Sequence, residues 1–341
     1  MRTFLSETRF IYYNSSGIVY LGNKANSSLK DCNLWIDIVD PSEFDFKFLE
    51  SEFEIDSDTI QLIRQGAKRA QVRILDKYIF GIYLDIRYKT FKKLLIEGIY
   101  TYLGKDWMIT IHSSDVNILS SIKHTMEKKN KRILEASIEA LYFVLVDEII
   151  GRYEQLLTSI EITITDFEQE SLYEKSSEEM LDYLDMITRQ LIILRRHFWY
   201  TRDVINYQLH MEEQNKDLKY LKIIYDNITQ LIDLIESYGD TINSTRDLYL
   251  ANISLRLNDT MRILTIFSVV LLPLTLIAGI YGMNGLDLTK IDHLPSGLLD
   301  VLITMIVISV VLLLYFRHKK WIMVSKPVKV LNSIQFRTSR V

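Results

Sequence analysis

The spacing of hydrophobic positions changes twice along the chain. Over residues 1–125 the stretches GIVYLG, NLWIDIVDP, QVRILDKYIFGIYLDIRY and YTYLGKDWMITIH crowd Val, Ile, Tyr and Trp into short runs. Several of these runs alternate with period two and are bounded by Gly, Pro, Asn or Asp, which is the signature of strands. Between them PSEFDFKFLESEFEIDSDTIQLIRQ reads as helical. From about Lys123 to Leu209 the period is helical, with a break near YEKSSEE. There Ser176 or Ser177 can cap a new helix that carries Glu178 and Glu179 in its first turn. From Lys216 to Tyr281 one helical pattern runs on, with no proline before Pro273 and only Gly239 before Gly279. A continuous helix of that length is a rod of about 100 Å at 1.5 Å per residue.

The end of this rod changes solvent. Residues 263–281 contain no Asp, Glu, Lys or Arg, and a bilayer crossing takes about 20 apolar residues. Residues 301–316 are also free of charge, extended outward by Gly297, Leu298 and Leu299 with Asp300 near the outer interface. Two spans joined by a short loop follow. Arg246, Arg256 and Arg262 precede the first span, and RHKKW, Lys326, Lys329, Arg337 and Arg340 follow the second. The loop between them offers only Lys290, so excess positive charge places both termini in the cytoplasm of a cell membrane crossed twice.

Composition removes other classes. The chain has 341 residues, 48% hydrophobic and 25% charged, too apolar for a disordered chain. With 40 Lys+Arg against 44 Asp+Glu the net charge is −4, which gives nucleic acid no footprint. Cys32 is the sole cysteine, so neither an internal disulfide nor a thiolate metal cluster is available. Glu7 and Arg9 interrupt the amino terminus before any leader core forms. No GxxxxGK[ST] phosphate loop, HExxH or nucleophile motif occurs, and His112, His124, His197 and His210 lack ligand spacing. No enzyme and no organic cofactor are expected.

Counted in sevens, the rod carries an unusual seam. One position reads Asp226, Asp233, Asp240, Asp247, Ser254, Met261, Ser268, Thr275, Gly282, and the position four residues on reads Gln230, Ser237, Ser244, Ala251, Asn258, Thr265, Leu272, Gly279. A coiled coil would place Leu, Ile or Val there. Two accounts are open. The aspartates form a solvated face and the hydroxyls bond their own helix backbone, or several copies pack about an axis and the seam lines a wet pore, since a polar stripe in hydrocarbon must face protein or water.

Tyr281, Gly282, Met283 and Asn284 close the first span, within PLTLIAGIYGMN. With the two-span end, RHKKW after the second span and WIDIVDP at residues 35–41, the chain resembles the CorA family of divalent metal (magnesium) ion transporters. The resemblance implies an α+β membrane protein assembled as a funnel-shaped homopentamer, with Mg²⁺ as substrate and regulatory ligand and the lipid bilayer and divalent ions as its other partners. It implies a selectivity filter at Gly282, Met283 and Asn284, the latter touching the ion through its hydration shell. It further implies a pore lined by Asp247, Asn258, Met261, Leu264, Thr265, Leu272, Thr275 and Gly279, to which the seven-residue spacing adds Ser268. Met261, Leu264 and Leu272 are the apolar residues near the seam and the candidates for a hydrophobic gate.

The expected organisation is a cytosolic α/β domain at 1–125, a helical hairpin region at 126–215, a stalk helix at 216–262, spans at 263–281 and 297–316, an extracytoplasmic loop at 282–296 and a basic tail at 317–341. Departures from the family pattern fall in the loop and the stalk. Gly285 follows the triplet and no Met-Pro-Glu-Leu appears, so acidic recruitment of ions falls to Asp287 or Asp292, with His293 a softer ligand. The stalk carboxylate expected before Asp226 falls on Ile223, with Lys219 one turn earlier. That leaves Asp226, Asp233, Asp240 and Asp247 as metal candidates. The alternatives are a non-conducting tethered sensor or scaffold, for which an intramembrane polar seam is superfluous, and a Zn²⁺ transporter of the same superfamily.

Overall fold

The computed structural model describes residues 7–14, 17–25, 32–90, 93–116, 120–122, 124, 137–170, 177–211, 218–281, 297–319 and 321. The chain divides into two units, one of residues Met1–Gln169 with Glu178–Asn243, the other of Glu170–Ser177 with Ser244–Val341.

The first unit is built on seven strands: β1 (Glu7–Asn14), β2 (Gly17–Gly22), β3 (Asn33–Val39), β4 (Gln71–Ile74), β5 (Ile79–Thr90), β6 (Lys93–Leu103) and β7 (Trp107–His112). They form one sheet in the order β2-β1-β3-β7-β6-β5-β4. Only β3 and β7 run parallel, joined by a connection that includes α1 (Glu43–Phe53) and α2 (Ser57–Arg64). Successive side chains leave a strand on opposite faces. Phe10, Tyr12, Ile36, Ile38, Ile109 and Ile111 accordingly share one core with Phe46, Leu49, Ile60 and Ile63 of α1 and α2. Ile11, Tyr13, Trp35 and Met108 share the other with α3 (Ile138–Glu170), α4 (Ser177–Met211) and the first part of α5 (Leu218–Tyr281). Helices cover both faces, so the central strands are mostly apolar, and among the polar side chains they bury, Thr110 and His112 bond to Asp37.

Local chemistry fixes the joints. Ser42 caps α1 in a reciprocal box with Asp45, whose Oδ2 accepts from the Ser42 amide at 2.8 Å. The stretch that reads as helical holds two helices, because Glu54 turns left-handed at φ 51° to end α1 and Asp56 caps α2. On the other face, Tyr83 of β5, Tyr142 of α3 and Gln208 of α4 close a buried ring. Tyr83 Oη donates to Gln208 Oε1 at 3.3 Å, and Gln208 Nε2 donates to Tyr142 Oη at 2.6 Å. The 2.7 Å contact between the two phenols is then a donation from Tyr142 to Tyr83. Three elements are thereby locked together by directional bonds.

Charge is also buried here. Asp85 of β5 has a side chain 1% exposed, with Arg87 Nη1 3.3 Å and Arg152 Nη1 4.0 Å from its oxygens. Burial outweighs the two guanidinium groups and raises its carboxyl above the ordinary value. His197 of α4 is 7% exposed, and burial together with Arg196 lowers its imidazole below the usual value.

The second unit holds the end of α5 and α6 (Gly297–His318). Both are long and apolar enough to cross a membrane, with windows of mean hydropathy 2.5 and 2.2. At the end of α6, Phe316 is buried and stacks on Trp321 at 5.6 Å.

The depressed imidazole has a consequence for pH. The unfolded chain takes up a proton at His197 below about pH 6.5 that the fold resists, so this stability is present above that pH and lost beneath it. Thermal unfolding of the purified protein from pH 7 to pH 5 should show a smaller decline for His197→Leu than for the unaltered chain. Identical slopes would refute the assignment, since Asp85, which works in the opposite sense at lower pH, is common to both.

Candidate functional site

The candidate site is one side of α5. Leu221, Ile224, Ile228, Leu231, Ile232, Ile235 and Ile242 are all buried in the first unit. At 100° per residue they cluster on one face. Asp226, Gln230, Asp233, Ser237 and Asp240, roughly half a turn away, are exposed. The same division holds in the second unit. Leu255, Asp259, Arg262, Ile266, Val270, Pro273 and Ile277 are half-buried, whereas Asp247, Asn258, Met261, Leu264, Thr265, Ser268, Leu272, Thr275 and Gly279 are exposed. The apolar members are bare too, with Met261 61%, Leu264 59% and Leu272 68% exposed. Half-burial on α6 falls on Val301, Met305, Ile308, Ser309 and Leu312, a stripe at helical spacing.

Each hydroxyl on the membrane part of the seam donates its proton to its own helix. Thr265 Oγ1 gives to the Met261 carbonyl at 2.8 Å, Ser268 Oγ to that of Leu264 at 3.0 Å and Thr275 Oγ1 to that of Leu272 at 2.9 Å. The charge nearest the span is neutralised on the half-buried face, where Arg262 Nη1 lies 3.4 Å from Asp259 Oδ1. Pro273 sits inside the helix and supplies no amide proton, so the carbonyl of Val269 loses its regular partner.

The acidic positions are not gathered within the chain. Asp226, Asp233, Asp240 and Asp247 follow one another every seven residues, about 10 Å apart along the axis, too far for two of them to share an ion at 2–2.6 Å. Among the described residues no group of three or more His, Cys, Asp or Glu is arranged to hold a metal. Ile223, at the place expected for a carboxylate, is 54% exposed. Gly282, Met283, Asn284, Asp287, Asp292 and His293 lie outside the described residues. The hydroxyls of the seam make the backbone bonds that the first account of it expects, whereas sequence reasoning did not find the Asp259–Arg262 pair. The i,i+3 spacing of opposite charges was the available signal for the pair.

The family description "CorA-like Mg2+ transporter protein" matches residues 31–319, and the chain belongs to that family. A cobalt/magnesium transport protein CorA of Thermotoga maritima is 27% identical over 265 residues, covering 75% of this chain and 73% of the relative. A magnesium transport protein CorA of Wolinella succinogenes is 24% identical over 306 residues, 85% of this chain and 91% of the relative. The complete structure of the CorA magnesium transporter from Methanocaldococcus jannaschii superimposes with a TM-score of 0.77 at 23% identity, covering 94% of this chain and all of that one. That match establishes the fold: an amino-terminal α/β domain, a long helix and a second apolar helix near the carboxyl terminus.

The two faces of α5 differ in their contribution to the stability of the chain. Ile228→Ala or Ile235→Ala should lower stability by about 2–5 kcal/mol through lost burial and the cavity left. Asp233→Asn on the seam should cost under about 0.5 kcal/mol. Denaturant titration of the purified variants checks this, and a seam substitution as costly as a core one would show that the seam is packed in the protomer.

Proposed function

We propose that five copies of this chain assemble around α5 and conduct divalent cations, Mg²⁺ foremost with Co²⁺ and Ni²⁺ as further cargo, into the cytoplasm. The observation that carries the reading is the exposed seam, which keeps to the side of α5 away from the protomer's own core and passes without interruption into the apolar segment. Family membership supports it, and a non-conducting tether gives no reason for hydroxyls and an exposed glycine on that side.

In this reading the rows of Asp226, Asp233, Asp240 and Asp247 raise the local concentration of cations at the inner end. Asn258 marks the mouth, and Met261, Leu264 and Leu272 form a constriction that closes by losing water. A ring of Asn284 amides, flanked by Gly282 and Met283, receives the ion with its water attached. Mg²⁺ dehydrates reluctantly and prefers a complete octahedral shell, so carbonyl acceptors that hydrogen-bond to that shell select by size without binding too tightly to release. Asp287 and Asp292 attract ions outside. Because no pair of seam aspartates in one protomer can share an ion, feedback by cytosolic Mg²⁺ uses carboxylates from neighbouring copies. The membrane potential suffices as a driving force: two charges gain about 4.6 kcal/mol per 100 mV, over three decades of concentration ratio.

Two measurements test this. In cells without magnesium importers of their own, Gly282→Ala and Asn284→Ala should each abolish the Mg²⁺ uptake that the unaltered chain confers, and persistent uptake would remove the filter from these residues. In liposomes the unaltered protein should pass Mg²⁺, Co²⁺ and Ni²⁺ when the interior is negative. Preferential passage of Zn²⁺ would favour a zinc carrier with His293 as a nitrogen ligand.

A further inference from the structure

Residues 263–281 contain no ionised side chain, so a pore built from them needs some other means of preferring cations to anions over that length. We infer that the hydroxyls of Thr265, Ser268 and Thr275 supply it by acting as acceptor-only groups, their protons being held by the helix backbone and their oxygen lone pairs left for the lumen. The inference rests on the pore reading above and adds the polarity of the wall to it.

A serine or threonine hydroxyl has one proton and two lone pairs. At all three positions the proton is committed to a carbonyl of the same helix, at 2.8, 3.0 and 2.9 Å. All three side chains are exposed on the seam, where the neighbouring members Met261, Leu264, Leu272 and Gly279 offer no side-chain donor at all. The side chains along this stretch therefore present oxygen acceptors among apolar atoms. Water around a cation turns both protons outward, whereas water around an anion has one proton turned inward to the ion. Such a wall hydrogen-bonds better to the shell of a hydrated cation, and it does so without a fixed charge that would hold a divalent ion too firmly to let it leave. Ser309 of α6 makes the same kind of bond, to the Met305 carbonyl at 2.8 Å, but is half-buried on the other stripe. It serves as a control for the helix-internal bond itself.

The test uses full-length protein in liposomes, reading Mg²⁺ entry with an enclosed indicator and the Mg²⁺-to-chloride permeability ratio from the reversal potential in planar bilayers. Thr265→Val combined with Ser268→Ala should lower Mg²⁺ flux at least tenfold. Thr265→Asn, which brings N–H donors to the wall, should lower the permeability ratio. Ser268→Thr in place of Ser268→Ala retains the backbone bond and should lower flux less than the double variant does, and Ser309→Ala should change neither quantity. Size-exclusion profiles matched to the unaltered protein establish that each variant is assembled. Unchanged flux and ratio in the double variant, or an equal loss in Ser309→Ala, would overturn the inference while leaving the pore reading standing. Absence of any divalent flux through the unaltered protein would overturn both.

Discussion

One constraint orders the rest of this molecule: a single helix must serve an α/β domain and an apolar segment while committing only one of its sides to its own chain. Along its first part α5 is fixed by Leu221, Ile228, Ile235 and their neighbours, each of which exchanges water for a close-packed core. Further on the commitment is weaker, with half-buried residues in place of buried ones. The opposite side is left bare throughout. The α/β domain supports this division. Its two-sided sheet places α3 and α4 against one face, and the Tyr83–Tyr142–Gln208 ring fixes those helices relative to the sheet with directional bonds that greasy packing alone does not provide.

Much of this was legible in the residues, for identifiable reasons. The long helix announces itself because a period near 3.6 persists with almost no Gly or Pro, and the apolar ends because charge vanishes from them. The seam is visible because seven residues bring a helix nearly back to the same angle. Other features were hidden by competing rules. Strand β1 was not anticipated, since Phe10, Ile11, Tyr12 and Tyr13 are all buried and the alternation that marks a half-exposed strand is missing. The run from Gln71 to Tyr88 looks like one strand but folds as a hairpin, its turn closed by the Leu75 amide on the Tyr78 carbonyl at 3.0 Å. The break at Glu54 escaped notice because a glutamate in the left-handed region has no signature comparable to glycine's.

For the candidate site the same distinction applies. Which residues share a side of α5 follows from counting, and so does their separation along the axis. Bonding of the hydroxyls to their own helix was one of two accounts the residues left open, and counting does not choose the acceptor, which depends on rotamer and on the local backbone. Thr265 and Ser268 reach back four residues and Thr275 only three, a difference no spacing rule anticipates. The position of Arg262 is similar: the sequence shows a cation at the brink of an apolar run, and only the fold shows it turned toward Asp259 and away from the bare side.

Pro273 gives the helix one further property. A regular helical turn resists bending with its ladder of amide-to-carbonyl bonds, but the turn ending at Pro273 lacks the rung that an amide proton there would supply. A small angular change concentrated there displaces the nearby Leu272 side chain sideways while disturbing the distant core contacts least. The segment thus contains a compliant joint beside its most exposed apolar residue, and a small bend at that level needs no unwinding of the helix.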